Sequence, residues 1–369
     1  MNLHNYAYVP AVRMSLYNLG AIEKLEDTVK DLIIPRVIIR DKEDCLDRFL
    51  SKWGEDRPIM LEVSKYDADL SDPLSRKLND HNNHFENQFN FFDSKRSYQI
   101  IPVINEESRQ HLRDVMQLSR KLINSFEKIA IKLNMKPDDF QESFQLINTI
   151  LSAFSDDEIN KVTIIIDLGK IENLEDVPQH RLSEVLSFIE EYTFDLVVFS
   201  STSYPATRPA SGTTLTVPCL DPYWQYQHIN QLEELGVKAI YGDYSATDPS
   251  IEVYNFDFAV HPVPYATYLL NNSLEWYTLR YGAGGEYEKF RDIAKNIQSH
   301  AGYHGDSFCY ANQIIADISS GNRDKAGNQA FWNKLKINQH ISAIINAHNM
   351  DFLNVASSNI DNDIDDEDF

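Results

Sequence analysis

Short runs rich in Val and Ile recur along the chain, and each hands over to a stretch of different character. YAYVPAV (6–12) precedes a segment in which Leu16, Leu19, Ile22, Leu25, Val29 and Leu32 repeat at helical spacing. RVIIR (36–40) precedes KEDCLDRFLSKW, and IMLEV (59–63) precedes a polar segment rich in Asn and His. YQIIPVI (98–104) leads into a long helical zone, about 108–154, which Pro137 is expected to break. The pattern continues with VTIIID (162–167), DLVVFS (195–200), VKAIYG (237–242) and WYTLRYG (276–282), each followed by a helical stretch or a loop leading into one. These runs mostly lack polar alternation, as strands do when helices cover both faces of a parallel sheet. Eight strand candidates predict a (β/α)8 TIM-like barrel of α/β class. An open doubly wound sheet is the competing architecture.

The chain is expected to divide into a barrel over 1–285, a C-terminal helical extension over 286–350 and a disordered acidic tail over 351–369. Residues 251–272 leave strand, loop and lid open, with Pro262 and Pro264 arguing against a central strand. Hydrophobic residues make up 43% of the 369, enough for a large core. The net charge is −22, and residues 350–369 contribute seven acids and no Lys or Arg. A surface this acidic repels phosphate backbones and anionic lipid, so the expectation is no direct nucleic-acid partner and no membrane. Cys45, Cys219 and Cys309 form no C-x-x-C pair, and no signal peptide is evident, so a cytoplasmic protein is expected.

In a parallel barrel, chemistry belongs at the C-terminal strand ends. Those ends offer Arg40, Glu62, Asp167, Ser200, Asp243, Tyr244 and Arg280 as candidate mouth residues. Asp167 and Asp243 are residue types suited to acid/base work or cation binding, but Asp also caps helices and closes turns. YGAGGEYEKF opens a helix with Gly282, Gly284 and Gly285, a candidate anion cradle, although Glu286 and Glu288 in the same turn oppose an anion. His81 and His84 lie three apart in an Asn-rich segment that reads better as a loop or helix end than as a metal site. His340 and His348 read as a surface or interface pair. No metal and no cofactor are expected, because P-loop, zincin, nucleophile-elbow and dinucleotide fingerprints are absent. Aromatic-rich NFDFAVHPVPYATYLL and CLDPYWQYQHI suit either an interface or packing between loops and barrel.

Taken in order, YVPAVRMSLYNLGAIEKL, IIPVIN, IIIDLGKI, FSSTSYP, YGDYSATDP, WYTLRYG and GNQAFWNKLKINQHISAII resemble the beta family proteins over about residues 6–348. That family is named after the beta protein of a satellite bacteriophage, whose gene neighbours a host-killing gene. The resemblance implies an anti-phage or toxin-immunity setting, with a protein partner encoded nearby that is an effector or toxin. It brings no catalytic residue. The sequence departs from the family pattern at Ser15, Tyr17 and Asn18, where a Lys and a Gly-Glu pair are expected, and at Ile38, where an acid is expected. These departures favour binding over catalysis, so a non-enzymatic partner-binding role is expected. A barrel enzyme for a phosphorylated or nucleotide ligand and an acidic nucleic-acid mimic are the alternatives.

Overall fold

The computed structural model describes residues 1–40, 43–106, 109–136, 138, 140–248, 261–271 and 273–350. Eleven strands are present among them: β1 (Tyr8–Arg13), β2 (Arg36–Ile39), β3 (Ile59–Val63), β4 (Ile100–Ile104), β5 (Ile129–Asn134), β6 (Val162–Lys170), β7 (Leu196–Thr202), β8 (Thr213–Pro218), β9 (Ala239–Asp243), β10 (Tyr265–Leu269) and β11 (Glu275–Arg280). The first seven and β9 close into a parallel barrel, with β9 pairing back onto β1 at Tyr8↔Tyr241. The remaining three form a separate antiparallel sheet in the order β10-β11-β8.

The (β/α)8 barrel expectation holds, but two strand assignments change. WYTLRYG is not a barrel strand: as β11 it is the central strand of the second sheet. Trp276, Tyr277, Thr278 and Leu279 are all buried, with Trp276 packed against the barrel side and Tyr277 and Leu279 against the C-terminal helices, so the run reads like a barrel strand without being one. The missing barrel strand is β5, which lies inside the expected helical zone of 108–154. Helix Leu112–Ser125 ends on an extended Phe126, with no Gly or Pro before β5 begins at Ile129. No stop signal marks that junction, and Lys132 gives the strand a polar look. The expected break at Pro137, the acidic tail and half of the 251–272 segment fall outside the described residues; within that segment, Tyr265–Leu269 is a strand.

Strand periodicity sorts the side chains into two apolar layers. Val9, Met60, Ile101, Val103, Ala130, Ile165, Val198 and Ile240 fill the barrel interior. Their neighbours Tyr8, Val37, Leu61, Ile131, Ile164, Val197 and Tyr241 pack outward against the helices. A third core joins β10 and β11 to the C-terminal helices through Tyr268, Leu279, Phe290, Ile297, Ile315 and Trp332.

Helix Gln329–Asn349 links these layers. Trp332 and Leu335 sit in the third core, while Ile337, Ile341 and Ile344 sit in the barrel's outer layer. Its polar residues complete the joint. Gln329 bonds both the N–H and C=O of Tyr265, and Gln339 does the same for Leu269, at 2.9–3.3 Å. These amides satisfy one edge of the second sheet, whose ladder would otherwise end on unpaired backbone groups.

Candidate functional site

The residues two positions beyond the apolar filling of the barrel are polar on several strands, and the same period carries them inward. Arg36 and Glu62 precede or follow Ile38 and Met60 on their strands; Lys132 follows Ala130, Asp167 follows Ile165, Ser200 follows Val198 and Tyr244 lies beyond Gly242. They converge at the C-terminal mouth. Lys132 Nζ lies 2.9 Å from Glu62 and 3.9 Å from Asp167. Arg36 lies 3.5 Å from Glu62 and 3.6 Å from Asp167, and donates to Ser200 Oγ at 3.3 Å. Tyr244 donates a hydrogen bond to Asp167, and Asn105 donates to Glu62 at 3.2 Å.

The strand carrying Asp167 is shaped around it. Between Asp167 and Gly169 the register of β6 on β7 shifts, and the Gly169 N–H donates to Asp167 Oδ1 at 3.0 Å. Gly169 has φ +66°, a left-handed value that favours glycine, and a Cβ there would stand 3.3 Å from Lys136 Cε. Such bulges re-aim side chains at barrel rims. Here the bare Gly169 Cα leaves room for the Lys136 side chain, which comes from the segment after β5, to lie against the strand end.

A cavity of about 400 Å³ lies over this floor, within the range of small-molecule sites. Lys65, Lys132, Lys136, Lys170 and Arg181 line it, with Glu62, Asp167 and Asp176 as its acids and Tyr66 and Tyr244 as its aromatic walls. Lys65 pairs with Glu106, and Lys170 with Glu172 and Asp248. Among the described residues, Lys136 and Arg181 have no acid partner; Arg181 donates to the Met135 carbonyl at 3.1 Å. Four buried atoms of the floor make no hydrogen bond: Arg36 Nε and Nη1, Glu62 Oε2 and Asn105 Oδ1.

Charge compensation fixes the protonation of the floor. Burial alone would raise the Glu62 carboxyl, but Lys132 and Arg36 overcome it and hold it below the ordinary range. Burial would likewise weaken the Lys132 and Arg36 cations, and their carboxylate neighbours reverse the effect, raising both. Burial pushes the Tyr66 phenol up to about 12 and the Tyr244 phenol well above its usual value. At neutral pH the floor therefore holds ionised Glu62, two cations and two neutral phenols.

Of the candidate mouth residues, Glu62, Asp167, Ser200 and Tyr244 meet here, and three do not. Arg40 lies one residue beyond β2 and bonds Asp69 and the Met14 carbonyl at the rim. Asp243 has the opposite parity to Tyr244, so it points out of the barrel. Its partners are His340 at 2.6 Å, Tyr241 at 3.0 Å, Tyr8 and the Ser245 N–H. Arg280 lies in the second sheet and donates to the Pro209 carbonyl. Gly282, Gly284 and Gly285 follow that strand, away from the mouth. The Ala283 N–H is bonded by Glu286 at 2.8 Å, so the turn supplies its own anion.

His340 is not a surface residue: it is 1% exposed, stacked on Trp276 and bonded to Asp243. Ser15 caps the helix that starts at Leu16, and Asn18 bonds the Arg13 carbonyl, so these departures from the family pattern build a turn. Ile38 packs against Ala11, Tyr244 and Tyr66 in the mouth wall. Sequence reading missed Arg36 and Lys132. For Arg36 the signal was present, since it shares parity with Ile38 two residues on; Lys132 was hidden with its strand. Among the described residues no cluster of three His, Cys, Asp or Glu suits a metal, and no helix is long and apolar enough to cross a membrane.

No curated protein matches the sequence. Among solved structures, the biosynthetic arginine decarboxylase SpeA from Campylobacter jejuni aligns at 12% identity and a TM-score of 0.35. That alignment covers 93% of this chain and 56% of the decarboxylase, so the chain spans a little over half of that protein's length. A likeness this slight carries nothing about chemistry. The profile of the family described as Beta protein matches residues 8–346, nearly the whole chain. The chain is a member of the beta protein family.

Proposed function

We propose that the barrel mouth is a recognition site for a small phosphorylated or nucleotide-like ligand, and that it binds this ligand rather than transforming it. The observation that carries the reading is a cation-lined cavity of ligand size in a chain of net charge −22. Lys136 and Arg181 are cations that no acid of the described chain neutralises, so they suit an anionic group. Arg36 Nε and Nη1, Glu62 Oε2 and Asn105 Oδ1 make no hydrogen bond within the floor, the first three being held only by ion pairs of 3.5–3.6 Å, so they can turn to the ligand's polar body.

Binding is favoured over catalysis by the protonation of the floor. Proton transfer is most effective from a group whose pKa lies near the working pH. Glu62, Lys132, Arg36, Tyr66 and Tyr244 are all driven away from neutrality by their surroundings. In the setting implied by the family resemblance, ligand occupancy would set whether this protein restrains a toxic effector encoded beside it. Co-expression with that neighbour should give a complex and relieve toxicity, and neither effect would remain if the partner role were wrong.

The ligand reading is tested by thermal unfolding in a panel of nucleoside 5′-monophosphates and sugar phosphates. At about a hundredfold excess over its Kd, a ligand bound only by the folded state adds about 2.7 kcal/mol. At least one member of the panel is expected to raise Tm, and Lys136→Glu combined with Arg181→Glu to abolish the rise. A panel that leaves Tm unchanged throughout contradicts the proposal.

A further inference from the structure

Four cationic side chains are buried among the described residues: Arg36, Lys95, Lys132 and Lys336. Arg36, Lys95 and Lys132 each have two carboxylates within 4 Å. Lys336, on the long C-terminal helix, has no ion pair and no hydrogen bond among the described residues. It is 9% exposed, with its Nζ 4.2 Å from the centroid of the Tyr204 ring. Nearby, the Arg208 guanidinium stands 4.1 Å from the centroid of the Tyr265 ring, also with no acid partner among the described residues.

These four groups form one cluster. Tyr265 feels Tyr204, Lys336 and Arg208, and Lys336 in turn feels Tyr265 and Arg208. Its walls are fixed: the Tyr204 hydroxyl bonds Thr267, and its ring meets Trp276 edge-on at 5.4 Å. Tyr204 also borders a second cavity of about 730 Å³, together with Pro205, Thr207, Leu215 and Val217, between the barrel and β8. Burial, with Arg208 adding to it, brings the Lys336 ammonium down to about 8. Burying a cation beside another with no acid among the described residues to offset it is costly.

We infer that Lys336 and Arg208 form a second anion site, at the junction of the barrel and the three-stranded sheet, for a phosphoryl group. Two neighbouring monocations call for up to two negative charges from one compact group. A phosphate monoester carries nearly that many at neutral pH, whereas a carboxylate carries one. The planar fork of Arg208 suits two phosphate oxygens, and Lys336 supplies a point charge to the same group. The Tyr204 and Tyr265 rings hold both cations in place before the anion arrives. This site is separate from the mouth and stands without the mouth proposal.

Trace acylation of the full-length protein with acetic anhydride at mildly alkaline pH, read by peptide mass spectrometry, tests the site. Lys336 is expected to react in chloride. Labelling should be about fivefold slower in about 20 mM inorganic phosphate at equal ionic strength, as occupancy with a millimolar Kd gives. Acetate should give no such protection. Arg208→Gln, at an exposed position, should remove the phosphate effect while Lys336 still labels, and Lys136→Glu should leave the effect intact. Equal rates in phosphate and chloride, equal protection by acetate, or loss of protection in Lys136→Glu would overturn the inference. So would a Lys336 that resists acylation in chloride, since an amine closed to a small reagent is closed to phosphate.

Discussion

Asp167 and Asp243 are both buried aspartates at barrel strand ends, yet they stand on opposite faces of the same wall. Asp167 faces inward, beside a cavity, with Arg36, Lys132 and Tyr244 around it. Asp243 faces outward, where His340, Tyr8 and Tyr241 enclose it and no described cavity reaches it. One residue of parity separates a cavity-facing carboxylate from one enclosed by its own fold. Strand-end position alone therefore does not decide whether a side chain meets the cavity; position and direction together do. The outward carboxylate ties β9 to β1 through Tyr8 and to the C-terminal helix through His340.

The contrast is broken most sharply at Asp243. Asp243→Ala would strip the partner from His340 and two tyrosine hydroxyls in the interior, and breaking a buried pair of this kind costs about 3–5 kcal/mol. Urea unfolding should show that loss, while the surviving folded protein keeps its ligand response. A small stability change would mean the outward network is not a structural joint.

Gly242, on the inward row next to Asp243, is the next test. A Cβ there would stand 2.7 Å from the Phe199 carbonyl and 2.9 Å from Val198 Cγ1. Gly242→Ala should cost about 1–3 kcal/mol through overpacking of the strand end. A neutral result would show that β7 and β9 separate easily at this point.

Acid titration probes both faces together. Burial would raise the Asp243 carboxyl, but His340 and Tyr8 hold it below its ordinary value, and Glu62 is lowered in the same manner by Lys132 and Arg36. A carboxyl lowered by folding contributes stability that is complete above its unfolded pKa and is lost as pH falls through the folded value. Stability from these groups should hold steady down to about pH 5 and decline below about pH 4, with Asp243→Asn and Glu62→Gln each flattening the decline. An unchanged acid limb in both variants would remove these pairs from the stability of the fold.

The barrel was legible because parallel strands covered on both faces write themselves as apolar runs. Its count of eight came right through two opposite errors: β5 was hidden between helices without a Gly or Pro boundary, and β11 was admitted because it too is buried on both faces. At the mouth, Glu62, Asp167, Ser200 and Tyr244 could be read from strand ends because their side chains happen to share inward parity. Asp243 and Arg280 could not be sorted without knowing which strand edge and which sheet they occupy. Lys132 was lost with β5. His340 lay beyond reach for another reason: its partner is 97 residues away, and only packing of the last helix on the barrel brings them together.

The central claim is that the inner face of the strand ends binds a ligand and the outer face holds the fold. Its most direct test is thermal unfolding of the parent protein, Asp167→Asn and Asp243→Asn, with and without the phosphorylated compound that stabilises the parent best. Asp243→Asn is expected to start at a lower Tm and keep the full ligand-induced rise. Asp167→Asn takes a carboxylate from Arg36 and Lys132, so it too is expected to start below the parent Tm, but it should lose most of the ligand-induced rise. A ligand response that survives in Asp167→Asn but disappears in Asp243→Asn would contradict the account.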